Sequence, residues 1–326
     1  MTKKTKKIET ILIGTSLTEA SDTVVRGGMN LARSIGAKAH LVHAYSPPMT
    51  YSGSPFVGEI PLTEVMKAER ASLQRRIDSQ IERLGVQRSE LAGVYLNVGP
   101  AHRLLIETAQ AIHADLMVVG ATEAPRLSRV FGSTADRVVR KASCPVLVVR
   151  GELPMPPRRV LLPVDLSPLS ADAYEIGLGV MAQINGSMAS PERVPEVEAF
   201  FVVVEPEGRV AEPEVPMVSE NGAANDELRQ FMTAHGKVSE SSALHVAARV
   251  ETGFVDTAIL DRIEQWGPDL VILGTHGRGG FERFLLGSVA STVVRDGWTN
   301  VLVIPPIQAS AARQMAAPPV EVHAVA

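Results

Sequence analysis

The chain has 326 residues, about twice the ~150 typical of one domain, so two domains are expected. Hydrophobic residues make up 45% and aromatics only 4%, an aliphatic profile that suits a Val/Leu/Ile parallel sheet under Ala-rich helices and argues against long disorder. A net charge of −4 offers no basic surplus for a nucleic-acid backbone, and a lone cysteine, Cys144, excludes a disulfide framework or a Cys-cluster metal site.

Lys3, Lys4, Lys6 and Lys7 open the chain like a signal-peptide n-region, but the apolar run behind them, residues 11–13, is far too short for one. No stretch approaches the ~18 apolar residues of a membrane span, so a soluble cytoplasmic protein is expected. Apolar runs then predict strands over 10–14, 39–45, 92–98, 116–120 and 146–150. Between them, three-to-four spacing predicts helices over 20–35, 62–84, 101–112 and 133–141. Residues 151–158, with Pro154, Pro156 and Pro157, read as a stiff linker. Strands are expected again near 160–163, 199–204, 244–250, 270–274 and 301–304. Residues 206–225 lack periodicity and read as a mobile loop, and 307–326 as a flexible tail.

The two halves repeat. Ile11-Leu-Ile-Gly-Thr-Ser-Leu-Thr18 lies over Val160-Leu-Leu-Pro-Val-Asp-Leu-Ser167. Val98-Gly99-Pro100 lies over Thr252-Gly253-Phe254, and Ala114-Asp115-Leu-Met-Val-Val-Gly120 over Pro268-Asp269-Leu-Val-Ile-Leu-Gly274. Val138-Val139-Arg140 and Val146-Leu147-Val148 return as Val293-Val294-Arg295 and Val301-Leu302-Val303. Four matches in one order imply a duplicated domain, residues 1–150 and 159–306. Alternating strand and helix makes each an α/β unit, a parallel sheet with helices on both faces. The apolar last strands, Val146 to Val149 and Val301 to Ile304, are expected to pair with each other and so hide two edges.

Ligands of such sheets bind beyond the carboxyl ends of the strands, where strand order reverses. After the fourth strand of the second half comes Gly274-Thr-His-Gly277, then nine residues, then Gly287-Ser288 opening a helix. Glycine lets backbone approach an anion, a helix N-terminus offers unpaired NH groups, Ser288 adds a hydroxyl, and Arg278 and Arg283 add charge, which suits a polyphosphate. After the first strand, Asp165 could bind ribose or a metal on the phosphates and Val164 a flat base; equally, Asp165 or Ser167 could simply cap the next helix. His276 reads as solvent-facing or a weak phosphate contact, Cys144 as a buried structural thiol, and His40-Leu-Val-His43 as structural. Walker A, GxSxG, HExxH and first-strand GxGxxG patterns are absent from the sequence, so binding is better supported than turnover.

These residues resemble the universal stress protein family in tandem form. Gly274-x-x-Gly277, nine residues, Gly287-Ser288 matches its ATP-binding motif, and Pro163-Val164-Asp165 its adenosine-side segment. The resemblance implies two Rossmann-like five-stranded sheets of order 3-2-1-4-5 binding ATP or another adenine nucleotide, with or without Mg. By position it implies Pro163, Val164, Asp165 and Val204 around adenine and ribose, Gly274 near the ribose, and Gly277, Gly287, Ser288 and Val289 around the phosphates. The first half departs: Glu123 stands where Gly277 does, eight residues separate it from Gly132, and Ser16 replaces Asp165, so its site is expected to be weakened or lost. The function expected is a nucleotide-responsive stress regulator that forms a homo-oligomer or an intramolecular pseudo-dimer and acts on a protein partner. The alternatives are a slow ATPase or nucleotidyl-transfer enzyme, or a ligand-free scaffold.

Overall fold

The computed structural model describes residues 7–45, 62–121, 132–186, 194–204, 220–237, 244–275 and 286–306. In the first half β1 (Thr10–Gly14), α1 (Asp22–Ile35), β2 (Lys38–Tyr45), α2 (Leu62–Arg83), β3 (Leu91–Val98), α3 (Ala101–Ala111), β4 (Leu116–Gly120), α4 (Ser133–Lys141) and β5 (Val146–Val149) follow in turn. In the second come β6 (Arg159–Val164), α5 (Pro168–Gly186), β7 (Glu196–Val203), α6 (Glu220–His235), β8 (Val246–Thr252), α7 (Val255–Trp266), β9 (Leu270–Gly274), α8 (Ser288–Asp296) and β10 (Asn300–Ile304). The ten strands form one sheet of order β3-β2-β1-β4-β5-β10-β9-β6-β7-β8, which is the order 3-2-1-4-5 twice, placed end to end.

Within each half the strand pairings are parallel, and at the join β5 runs antiparallel to β10 with Leu147 opposite Leu302. The expected pairing of the last strands is therefore present. Val146, Leu147, Val148, Val301, Leu302 and Val303 are all buried, so this seam is core.

Strand alternation sends Ile11, Ile13, Leu147 and Leu302 to one face, where they pack with α1, α2, α5 and α6. Leu12, Val146, Val148, Val301 and Val303 go to the other, with α3, α4, α7 and α8. Each apolar layer runs through both halves, giving an αβα sandwich with a shared interior.

The linker is docked. Leu153 is buried in the core, and Arg26 of α1 pairs with Glu152 at 3.0 Å. Asn300 Oδ1 accepts from the amides of Arg150 and Gly151, and its Nδ2 donates to the carbonyls of Glu152 and Asp269. One segment corrects the sequence reading: 220–225, expected within a loop, opens α6. Ala224, Leu228 and Phe231 recur at helical spacing and are buried, a signal that the polar Glu220-Asn-Gly start obscures. The rest of that loop and the tail from 307 lie outside the described residues.

Candidate functional site

The reversal of strand order falls between β1 and β4 in the first half and between β6 and β9 in the second, and in the first half the turns after these strands line a cleft. The loop after β9 is pinned at both ends: the Thr275 amide donates to Ile304 O at 3.0 Å, and the Gly287 amide to Thr275 O at 2.8 Å. The first half repeats this with Ala121 on Val149 O and Gly132 on Ala121 O. Both halves therefore deliver a helix N-terminus to the same place.

Those N-termini differ. Neither Gly132 nor Gly287 provides a side-chain cap, which leaves first-turn amides of α4 and α8 without that partner. The first turn of α8 holds no acid, whereas that of α4 holds Asp136. Asp136 pairs with Arg140, 2.9 Å away, and sets a carboxylate in the first turn of α4 where α8 has none. Sequence reasoning missed Asp136, although it lies over Ser291 in the ungapped repeat.

The turn after β6 holds Asp165. Its Oδ1 accepts from the Ser167 amide at 3.0 Å, around Leu166 at a left-handed φ of 61°. Ser167 Oγ accepts from the Ser170 amide at 3.2 Å and caps α5. The capping alternative thus holds for Ser167, while half-buried Asp165 braces the turn at the cleft. Leu17 repeats the strained conformation at φ 59°, but there Thr15 Oγ1 accepts from the Leu17 amide at 3.0 Å. Thr15 also donates to Gln80 Oε1, whose amide group reaches Ser21 and Asp22, a buried network built where the second half has apolar Val164.

Of the other expected residues, Val164 is buried, Pro163 and Gly274 are half-buried at strand ends, and Val204 is 59% exposed beyond β7. Gly287 and Val289 are half-buried and Ser288 exposed at the start of α8. Gly277, Arg278, His276, Arg283 and Glu123 lie outside the described residues. Cys144 is buried, as expected.

The first half contains a cavity of about 490 Å³ at its switch point, walled by Val24, Val42, Leu105 and Val119 and edged by Ser16, Ser133 and Thr134. Buried His43, read from the sequence as structural, also lines it, and its Nδ1 donates to Thr15 O at 2.8 Å, the only role open to a nitrogen facing a carbonyl. Strand register puts His43 where the second half has Phe201. Among the described residues no cluster of His, Cys, Asp or Glu could hold a metal ion, and no helix is long and apolar enough to cross a membrane.

The repeated Asp115 and Asp269 act at the opposite end of the sheet. Asp115 Oδ2 accepts from the amides of Glu9 and Thr10, and Asp269 Oδ2 from those of Arg158 and Arg159, so each ties the entry of its first strand to its fourth.

Fold and site together define a tandem doubly wound α/β protein with a switch point in each half and a cleft at the first. The chain belongs to the universal stress protein family, whose sequence profile matches residues 7–150 and 157–305. A universal stress protein of Mycolicibacterium smegmatis is 26% identical over 309 residues, covering 91% of this chain and 97% of its own length. One of Mycobacterium tuberculosis is 27% identical over 305 residues, with 90% and 95% covered. The crystal structure of a universal stress protein from Archaeoglobus fulgidus shares the fold, with a TM-score of 0.58 at 16% identity over 91% of this chain and 98% of that one.

Proposed function

We propose that the second half binds ATP or a closely related adenine nucleotide, and that the protein acts as a nucleotide-responsive regulator in the cytoplasm. The observation that carries this reading is the α8 N-terminus, with no side-chain cap and no first-turn acid, set behind Gly287 after β9, whose neighbour β6 leads into the Asp165 turn. Three or more phosphate charges need such a positive, backbone-lined end, and the Gly274-x-x-Gly277 spacing supplies a loop that can wrap them. The same chemistry is opposed in the first half by Asp136 in α4, by Glu123 in place of Gly277 and by Ser16 in place of Asp165, so one nucleotide per chain is expected.

Binding rather than rapid turnover follows from the residues available. The sequence has no P-loop lysine, and Asp165, the acid at the cleft, already spends Oδ1 on the Ser167 amide. Phosphate release far below the ~10 per second of a typical enzyme is expected.

The test is calorimetric titration of ATP into the full chain and into Gly287→Asp and Gly277→Glu. Each variant puts a carboxylate where backbone must approach phosphate, and affinity is expected to fall at least tenfold at a stoichiometry that begins at one. Unchanged affinity in both variants would overturn the reading.

A further inference from the structure

The seam consumes the last-strand edges of both halves, so the ten-stranded sheet ends at β3 and β8. Among the described residues β8 pairs with β7 alone, in parallel from Val246 to Thr252. Its other side offers backbone N–H and C=O groups to a further strand. Val246, Ala248 and Val250 alternate toward the apolar layer under α6, whereas Ala247 and Arg249 are exposed on the opposite face with Glu251 half-buried beside them.

The charges on that face distinguish the edge. An edge guarded against pairing carries charge of one sign, because like charges set opposite each other on two strands repel. β8 carries both signs two residues apart, on Arg249 and Glu251, whose Nε and Oε1 pair at 2.7 Å within the chain. That local bond leaves both Nη groups of Arg249 and Oε2 of Glu251 for a cross-strand partner. An antiparallel join about a two-fold axis at Val250 sets Arg249 of each copy opposite Glu251 of the other, with Val250 against Val250 on the α6 face.

The other edge does not match this one. β3, Leu91–Val98, has no charged residue with which to make such a pair. A join of β3 to β8 would repeat from copy to copy without closing, whereas β8 paired with itself closes as a dimer. The chain already contains a join of this kind, since β5 and β10 meet antiparallel with Leu147 opposite Leu302.

We propose that the protein forms a closed homodimer through antiparallel pairing of its β8 edges, with Arg249 of each copy bound to Glu251 of the other. The partner is a second copy of this chain, and one continuous sheet crosses the dimer.

The experiment is size exclusion with light scattering over a concentration series, on the full chain, on Arg249→Glu, on Glu251→Arg and on an equal mixture of the two variants. Wild type is expected to run as a dimer that dissociates on dilution. Each variant alone sets like charges at both cross-strand positions and is expected to dimerise at least tenfold more weakly. The mixture is expected to recover dimers holding one copy of each, because the two acidic positions of Arg249→Glu then face the two basic positions of Glu251→Arg. The pair within the chain is broken in both variants, so recovery on mixing reads the contact between copies. Circular dichroism matching wild type shows that the variants fold, as expected for side chains 43% and 28% exposed. A monomeric wild type, a dimer undisturbed in both variants, or a mixture no more associated than its components would each overturn the inference.

Discussion

Glu90 accepts from Arg33 Nε and Nη2 at 2.6 and 3.0 Å and from the Gln87 amide at 2.8 Å, tying α1 to the turn that leads into β3. The Arg33 guanidinium, with the Gln87 amide, pulls its carboxyl from 4.5 down to about 2. A folded pKa below the unfolded one contributes stability above pH 4.5 that is lost as pH falls toward about 2. Both partners are partly exposed, and solvent screening limits the gain to about 1 kcal/mol or less. Glu90→Gln is expected to lower stability by up to that amount at pH 7 and to be nearly neutral at pH 2, measured by denaturant unfolding at the two pH values. An equal loss at both would mean that packing, not charge, is what Glu90 supplies. Asp165 shows the same economy at the site, because its charge faces the cleft turn while one oxygen secures the backbone.

At the scale of elements, the ends of helices carry more of the argument than their middles. Gly297 closes α8, and its amide donates to Val293 O at 2.9 Å. Its φ of −69° suits any residue, but a Cβ there would lie 2.5 Å from the Val293 carbonyl oxygen, which belongs to the helix and cannot move aside. Gly297→Ala is therefore expected to cost about 1–3 kcal/mol, with Gly151→Ala, where a Cβ meets nothing within 4 Å, neutral or slightly stabilising. Thermal unfolding of the two variants makes the comparison, and a neutral Gly297→Ala would show that the helix end can relax. The carbonyls just inside this end, Val294 and Arg295, accept from Arg150 Nη2 at 2.6 and 2.7 Å, so the first half holds the C-terminus of a helix of the second.

The whole molecule is organised by the antiparallel seam of β5 and β10. Two parallel units, each with an exposed apolar last strand, would aggregate through those edges, and pairing them inside one chain removes the hazard. Leu302 lies opposite Leu147 with 2% of its surface exposed, and both side chains enter the apolar layer shared by the halves. Leu302→Lys buries an unpaired charge in that layer and is expected to cost about 3 kcal/mol or more, while Trp298→Lys, on a residue 58% exposed just before the strand, stays within about 0.5 kcal/mol. Urea unfolding of the full chain measures both, and a small loss for Leu302→Lys would mean that the halves are stable without the seam.

The duplication, the strand sequence and most element limits were legible in the amino-acid order, because apolar runs and helical periodicity are local and recorded twice. Thr10–Gly14, Leu116–Gly120 and Ser133–Lys141 coincide with their expected spans. The Gly274 to Ser288 spacing is legible for the same reason, and the structure sets Gly287 and Ser288 at the start of α8. The start of α6 was not legible, since packing against the sheet overrides a polar, glycine-containing first turn. Nor was the first-half cavity, which brings together Ser16, His43, Leu105 and Ser133 from four separate segments. Losing a carboxylate and gaining Glu123 reads in sequence as a lost site, whereas the space between the walls is set by how β1, β2, β4 and the helices beside them pack. Packing of distant segments is a property of three dimensions, and the order of residues along the chain does not record it.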